Sequence, residues 1–474
     1  MIKQTLMAVA LAATLAGPGT AAAVTDAEMK ELREQVQQMK REYERRIDAL
    51  EQRLKQAEGT VGKAEAAASR AQATAVSAEA AASSASARPA GENAFNPAIS
   101  LILNGVLANL SQDPARHQIT GFAPTGGEVG PGNRGLSLAE TELVFSANID
   151  PNFRGTLIAA LSPDDTIAVE EGYIQGIGLS HGLGIKAGRF LASAGYLNEI
   201  HPHAWDFVDA PLAHKVFLGK QLADDGVQLK WVAPTETFVE LGAEIGRGRA
   251  FPGTNRDKNG AGATNLFARL GGDIGASTAW RLGLSHLRTT ARNRNYEDLD
   301  STGTQVNNSF NGASRLWVVD GVLKWAPNGN PGYNNFKLQG EYFRRREDGT
   351  LTYDTDSASL GTQSDAYRSA QSGWYAQGVY QFMPMWRAGY RHDRLDTGTV
   401  KLGLVDSGAL TAVDFPIFAA HHATRNTLML DFNPSEFSRL RMQFASDKSR
   451  LGATDKQMFL QYIMSLGAHG AHKF

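Results

Sequence analysis

Cysteine is absent from all 474 residues. No disulfide framework and no thiolate metal centre can hold this chain together, which excludes the small stapled scaffolds. Long apolar runs are nearly absent too. The one run, Leu6 to Ala16, is too short to cross a bilayer, so no transmembrane helix is expected. An excess of either charge is also missing. With 47 Lys and Arg against 49 Asp and Glu the formal net charge is -2, which argues against a nucleic-acid partner. No HExxH helix occurs, the letters Gly-x-Ser-x-Gly occur only at Gly178 to Gly182 in the link between two expected strands rather than at a strand-to-helix elbow, and the chain is not expected to be an enzyme.

What is present is alternation. From Met458 to Phe474 every second residue is Met458, Leu460, Tyr462, Met464, Leu466, Ala468, Gly470, His472 and Phe474, and the other row carries Gln461, Ser465, His469 and Lys473. A period of two makes a strand with one apolar and one wet face. A strand of this kind ending on Phe suits the closing strand of an outer-membrane barrel. At the other end, Lys3, the apolar run and Ala21-Ala22-Ala23 read as a signal peptide over 1–23. An exported chain without a membrane helix is either periplasmic or a barrel, and 49 Gly with scattered apolar residues suits the barrel.

Three zones follow the leader. Over 24–58 the spacing of Met29, Leu32, Val36, Met39, Tyr43, Ile47, Leu50, Leu54 and Ala57 predicts a periplasmic coiled coil, with a stutter between Tyr43 and Ile47. Residues 59–97 are an Ala/Ser-rich spacer without chemistry. Residues 98–474 are expected to be an all-β transmembrane barrel of sixteen antiparallel strands. Tight links such as Asp150-Pro151-Asn152, Pro234-Thr235, Met383-Pro384-Met385 and Asn433-Pro434-Ser435 alternate with long ones. The long ones are 111–137, 191–225, 247–263, 290–314, 347–372 and 395–424; bacterial barrels put short turns in the periplasm and long loops outside.

Rows such as Trp317, Val319, Gly321, Leu323, Trp325 and Trp374, Ala376, Gly378, Tyr380, Phe382 would face lipid, with aromatic ends at the membrane interfaces. The opposite parity then lines the pore. It carries Arg154, Lys186, Lys230, Arg269, Arg281, Lys324, Lys337, Arg387, Arg391, Arg439 and Arg441 against Glu140, Glu142, Asp273, Asp320, Glu341 and Asp431. Basic rings in a pore favour anions, so an anion-leaning channel is expected, unless the charges simply pair across the wall.

The connection 191–225 is expected to fold inward and narrow the channel. Its His201, His203 and Asp206 offer imidazole and carboxylate, the donors that suit zinc, although a loop fastened to the wall by hydrogen bonds would need the same residues. Otherwise no cofactor is expected.

The segment Val169–Phe190, VEEGYIQGIGLSHGLGIKAGRF, resembles a hairpin of the phosphate-selective porin (O/P type) superfamily, with Ala187-Gly188-Arg189-Phe190 at the place of its V-G-x-F-like end. The resemblance implies a sixteen-stranded homotrimer in outer-membrane lipid. In that family an arginine ladder and a lysine cluster select phosphate, where this loop carries His and Asp. His201 to Phe207 (HPHAWDF), Phe95-Asn96-Pro97 and Ser465–His469 (SLGAH) are also similar to little-characterised outer-membrane proteins described as zinc-regulated receptors. Receptors of the TonB-dependent kind need a plug and 22 strands, and nothing before residue 98 has a plug composition.

Three functions follow from the residues. The first is an outer-membrane porin for passive diffusion of small hydrophilic solutes. A metal uptake channel or receptor is the second. The third is a structural tether whose coil reaches the peptidoglycan.

Overall fold

The computed structural model describes residues 97–126, 129–162, 166–177, 179–254 and 259–467, and a few helical residues between Gln37 and Gln52. Among these few, Lys40 pairs with Glu44 one turn on. The expected signal peptide, the apolar seam of the expected coiled coil, the expected spacer before residue 97 and the terminal Phe474 lie outside the described residues.

From Ala98 the chain forms seventeen strand segments in one antiparallel sheet. They are β1 (Ala98–Leu110), β2 (Gly135–Leu138), β3 (Thr141–Asn148), β4 (Phe153–Leu161), β5 (Ile167–Gly176), β6 (Leu183–Leu191), β7 (Ala223–Val232), β8 (Phe238–Gly246) and β9 (Ala263–Ile274). Then follow β10 (Thr278–Leu299), β11 (Gln305–Trp325), β12 (Asn335–Tyr353), β13 (Gln363–Met383), β14 (Trp386–Leu402), β15 (Thr424–Ser435), β16 (Ser438–Asp447) and β17 (Asp455–Gly467). β17 pairs with β1 from Ser100 to Leu110. β1 pairs in turn with both β2 and β3, which are two halves of one strand interrupted at Ala139 and Glu140. The sheet therefore closes into a barrel of sixteen strands.

The barrel is inside out. Outward Trp317 and Val319 are 49% and 50% exposed, whereas the largest fully buried side chains include Arg345, Arg391, Arg425 and Arg441. A closed ladder leaves no unpaired edge, and an apolar exterior around a charged interior is the β solution to crossing lipid. The outward rows end in aromatics on both sides. On the side of the tight turns these are Trp280, Trp325, Phe336, Tyr380 and Trp386; on the loop side they are Trp317, Tyr342, Trp374 and Tyr390, with the His286 ring tilted against Trp317 at 4.3 Å between centroids. This is the fold of outer-membrane barrels.

Five strands run well past the expected limits. β10 to β14 hold 17 to 22 residues each, where about 9 to 11 tilted residues cross a bilayer. The expected loops 290–314, 347–372 and 395–424 shrink accordingly to 300–304, 354–362 and 403–423. The cause is chemical. Past the girdle the outward row turns from apolar to polar, as at Arg288 and Thr290 or Arg344 and Arg346, while the backbone pairing continues. A search for apolar alternation stops at the girdle, but strands in water still need partners for every N–H and C=O.

The extension is filled rather than hollow. Inward Tyr296, Val306, Phe310, Leu351, Tyr353 and Tyr367 pack against Leu404, Leu410, Phe415 and Ile417 of the β14–β15 connection. That connection opens with a short helix, α2 (Gly403–Asp406). It meets the β1–β2 connection where Gly121 N–H donates to Ile417 O at 2.5 Å. On the β10–β14 side the loop end is thus capped.

A candidate constriction site

Between β6 and β7 the chain turns into the barrel. Residues 192–222 carry two single turns, Leu197–Glu199 and Pro202–Ala204, and one helix, α1 (Leu212–Leu218). The loop neck is closed by Asn198. Its Nδ2 donates to Ala192 O at 2.8 Å and to Leu222 O at 3.0 Å, and its Oδ1 accepts from Leu222 N–H at 2.7 Å. Every residue of α1 is buried. Its Leu212, Val216 and Phe217 face Leu287, Leu316, Val318, Phe343, Tyr375 and Leu395 of the wall. Gly219 ends the helix in the left-handed region (φ 64°), where only glycine is free of strain.

Wall side chains then take up the backbone that the loop cannot pair with itself. At the root of the loop Leu191 N–H, the last of β6, donates to Glu171 Oε1 (2.8 Å), and within the loop Ser193 N–H donates to Glu244 Oε1 (2.9 Å). Leu197 N–H donates to Glu341 Oε1 (2.7 Å), Leu212 N–H to Asp393 Oδ1 (2.8 Å), and Val208 N–H to the Gln443 amide oxygen (2.8 Å). A buried N–H left without an acceptor is costly, so these acceptors select one path for the loop.

The loop is tied to two sectors of the wall. At β3 and β5, His203 Nδ1 lies 2.9 Å from Glu142 Oε1, and His201 Nε2 lies 3.0 Å from Glu171 Oε2. His201 Nδ1 faces Glu142 Oε2 at 3.3 Å and Glu170 Oε2 at 3.4 Å. Burial opposes a charge on His201, and the three carboxylates outweigh it, so its pKa stands well above the ordinary value. A bulge explains how two consecutive glutamates reach one imidazole. Ile158 opposes Glu171 and Ala159 opposes Val169, so Glu170 is the extra residue and turns inward beside Glu171.

At β12 to β16, Asp206 meets Lys337 (3.0 Å) and Arg387 (3.2 Å). Asp209 meets Arg391 (3.0 Å) and Arg425. Trp205 O accepts from Arg441 at 2.9 Å. Burial works against both aspartates, but the cations around them hold both carboxyls well below the usual range. The expected trio of His201, His203 and Asp206 is therefore split. The structure brings the histidines to Glu142 and sends Asp206 to the basic sector, because a buried carboxylate needs cations more than a share in a site already rich in acid.

The other expected pore residues also meet partners. Lys230 pairs with Glu240 (3.2 Å), Arg269 with Glu199 and Glu240 (3.0 and 2.7 Å), Arg281 with Asp320 (3.2 Å) and Arg441 with Asp431 (2.7 Å). Lys186 lies over the Tyr173 ring at 4.5 Å, Arg439 donates to Asn433 Oδ1 at 3.1 Å, and Arg154 donates to Ser146 Oγ at 2.7 Å on the turn-side rim. Lys324 lines a cavity on the turn side. Sequence reasoning missed Arg425 although it shares parity with Asp431. It missed Arg345 and Arg294 for other reasons: Arg294 lies beyond the expected end of its strand, past a register shift, and Arg345 lies within its strand but among consecutive arginines.

The crossing loop separates two kinds of space. A loop-side cavity of about 520 Å³ is bounded by β1, β2 and β17 residues together with Pro202, Trp205, Val208, Lys215 and Lys220. Turn-side cavities of about 420 and 510 Å³ lie along β6 to β10 and β9 to β14, the first touching Tyr196, Glu199 and Ile200 of the loop.

Comparison with known proteins gives one sequence relative. An uncharacterized protein of Aquifex aeolicus (strain VF5) is 31% identical over 414 residues, which cover 81% of each chain. The chain belongs to that protein's family. No protein-family model matches it, so the resemblance to the phosphate-selective porins rests on the residues quoted for it. Among solved structures, a loop-deletion mutant of the Vibrio cholerae outer-membrane protein OmpT covers 78% of this chain and 99% of its own (TM-score 0.49, 11% identity). Pseudomonas putida OprB covers 78% and 94% (0.44, 14%). An anion-selective porin from Comamonas acidovorans covers 78% and 99% (0.42, 11%).

Proposed function

We propose that this family member is a channel, not an enzyme, through which small hydrophilic solutes diffuse passively across the outer membrane. The observation that carries the reading is the inward loop 192–222, wired to both sectors of the wall and lying between the loop-side and turn-side cavities. A rigid bar of this kind sets a size limit, because its backbone and helix are held by buried wall groups. The channel leans toward anions. The turn-side cavities hold Lys186, Lys230, Arg269 and Arg281 against Glu199, Glu240 and Asp273 in one, and Lys324, Lys337 and Arg387 against Asp273 alone in the other. The reading includes a homotrimer, on the strength of the sequence resemblance. Reversal potential across a planar bilayer under a salt gradient tests it. An anion-directed potential with openings in groups of three supports the reading; a bilayer that never conducts removes it.

One observation favours a second reading, a divalent-cation site on the loop. Glu142 Oε2, Glu170 Oε2 and His201 Nδ1 are buried, lack hydrogen-bond partners and lie within 4.8 Å of one another. Two carboxylates and an imidazole suit zinc or a similar ion. Equilibrium dialysis against zinc tests this. One ion per chain, lost in Glu170→Gln and kept in Asp206→Asn, supports it. No retained zinc in the native protein ends it.

A further inference from the structure

Just past the loop-side aromatic girdle, the outer surface of the barrel becomes basic. Arg288 on β10, Arg315 on β11 and Arg344 and Arg346 on β12 all point outward and are exposed. The register stacks three of them in one lateral row: Arg288 opposes Arg315, and Arg315 opposes Arg346. Arg344 sits one pleat nearer the membrane, opposite the girdle residue Trp317. Neighbouring strands in a ladder are ~4.8 Å apart, and like charges placed directly opposite one another destabilise a sheet.

Among the described residues, no acidic side chain stands directly opposite the row to offset this repulsion. The row is flanked by Thr264 on β9 and Ala370 on β13, and Arg344 by Ser372. The outward Asp348 on the same strand is engaged elsewhere, with Arg368 at 2.9 Å. On the turn side, the outward rows of β10 to β14 end on aromatics with no matching arginines. The asymmetry assigns the row to one leaflet. With short turns in the periplasm, that leaflet is the outer one.

The height of the row identifies its partner. From Trp325 to Trp317 the lipid-facing row runs eight residues, roughly 26 Å along the strand and roughly 20 Å of height once tilted by about 40°, so the next outward residue reaches the edge of an apolar band about 25 Å tall. Arg315 is the next outward residue, at headgroup level. We propose that Arg288, Arg315, Arg344 and Arg346 form a binding surface for the phosphate groups of outer-leaflet lipids. A guanidinium donates two parallel N–H groups to a phosphate, so a headgroup carrying two phosphates spans the row and cancels its repulsion. Lipid held there lies against the long hairpins and is independent of the lumen.

The test uses full-length protein in detergent, with bisphosphorylated lipid A as the probe, read by native mass spectrometry. Retained lipid A is expected on the native chain, with affinity falling about tenfold in Arg315→Gln/Arg346→Gln and unchanged in Arg368→Gln. All substituted side chains are exposed, and heat-modifiability checks folding; should the double variant fail to fold, Arg346→Gln alone gives the same reading with a smaller loss. Equal affinity in native and variant protein overturns the proposal. So does displacement of the lipid by inorganic phosphate at equal concentration, which would make the row a site for free anions.

Discussion

His214 Nε2 lies 3.1 Å from Glu341 Oε2, and both side chains are fully buried. Glu341 is the centre of the loop's attachment. Its Oε1 also accepts from the N–H groups of Tyr196 and Leu197 and from the Tyr375 hydroxyl. Breaking a buried, charge-assisted set of this kind costs about 3–5 kcal/mol. Glu341→Gln is expected to unfold at lower temperature and to show larger, noisier single-channel currents. A quiet channel of native conductance would show that the loop does not need this anchor.

Gly195 tests the same contact sterically. Its φ is +85°, and a Cβ there would come within 2.5 Å of Glu341 Oε2 and 3.2 Å of Val318 Cγ1. Gly195→Ala is expected to cost about 1–3 kcal/mol and to raise conductance less than Glu341→Gln does. Single-channel recording of both variants ranks them.

Asn198 joins the two ends of the loop without touching the barrel wall through its side chain's three hydrogen bonds. Asn198→Ala removes them and leaves buried partners unsatisfied, at about 2–3 kcal/mol. Limited proteolysis should cut within 192–222 in this variant and leave the native loop whole.

Selectivity is expected to shift in Asp206→Asn. The substitution removes the carboxylate that Lys337 and Arg387 share, so the turn-side entrance becomes more basic. Reversal potentials should move further toward the anion value, and an unchanged reversal potential would place Asp206 outside the conducting path.

The same carboxyl gives a pH dependence. Lys337 on β12 and Arg387 on β14 face it, with Arg441 on β16 behind them, and burial alone opposes its charge. Its folded pKa is depressed. The stability it contributes is therefore complete above the ordinary Asp value of about 3.9 and lost as pH falls below that toward the folded value. Asp206→Asn is expected to be less stable than the native chain at neutral pH, with the gap closing only in strong acid. Unfolding temperatures across a pH series check this, and a gap already closed near neutrality would contradict the pairing.

The barrel was legible because a wall one residue thick writes its two faces in alternate letters. Rows such as Trp317 to Trp325 carry the lipid side openly, and the turns at Asp150-Pro151-Asn152 and Met383-Pro384-Met385 punctuate them. What alternation cannot express was lost. Glu170 reaches the lumen only through a bulge, which shifts parity by one residue. The outer halves of β10 to β14 lie in water on one face and in a protein cap on the other, so the lipid signal ends before the strands do. In the loop, His201, His203 and Asp206 lie five positions apart at most, yet their partners sit on β3, β5, β12 and β14. Adjacency in sequence suggested a shared site, and the charges of distant strands decided otherwise.

The wiring of the loop also has a direction in time. Most of the groups that hold its far side, among them Ser285, Glu341, Asp393, Arg425 and Gln443, come later in the chain than the loop itself. When residues 192–222 leave the ribosome or the export machinery, those anchors have not yet been delivered. The loop can set only after the sheet has begun to close around it, so this inward segment is finished late in assembly.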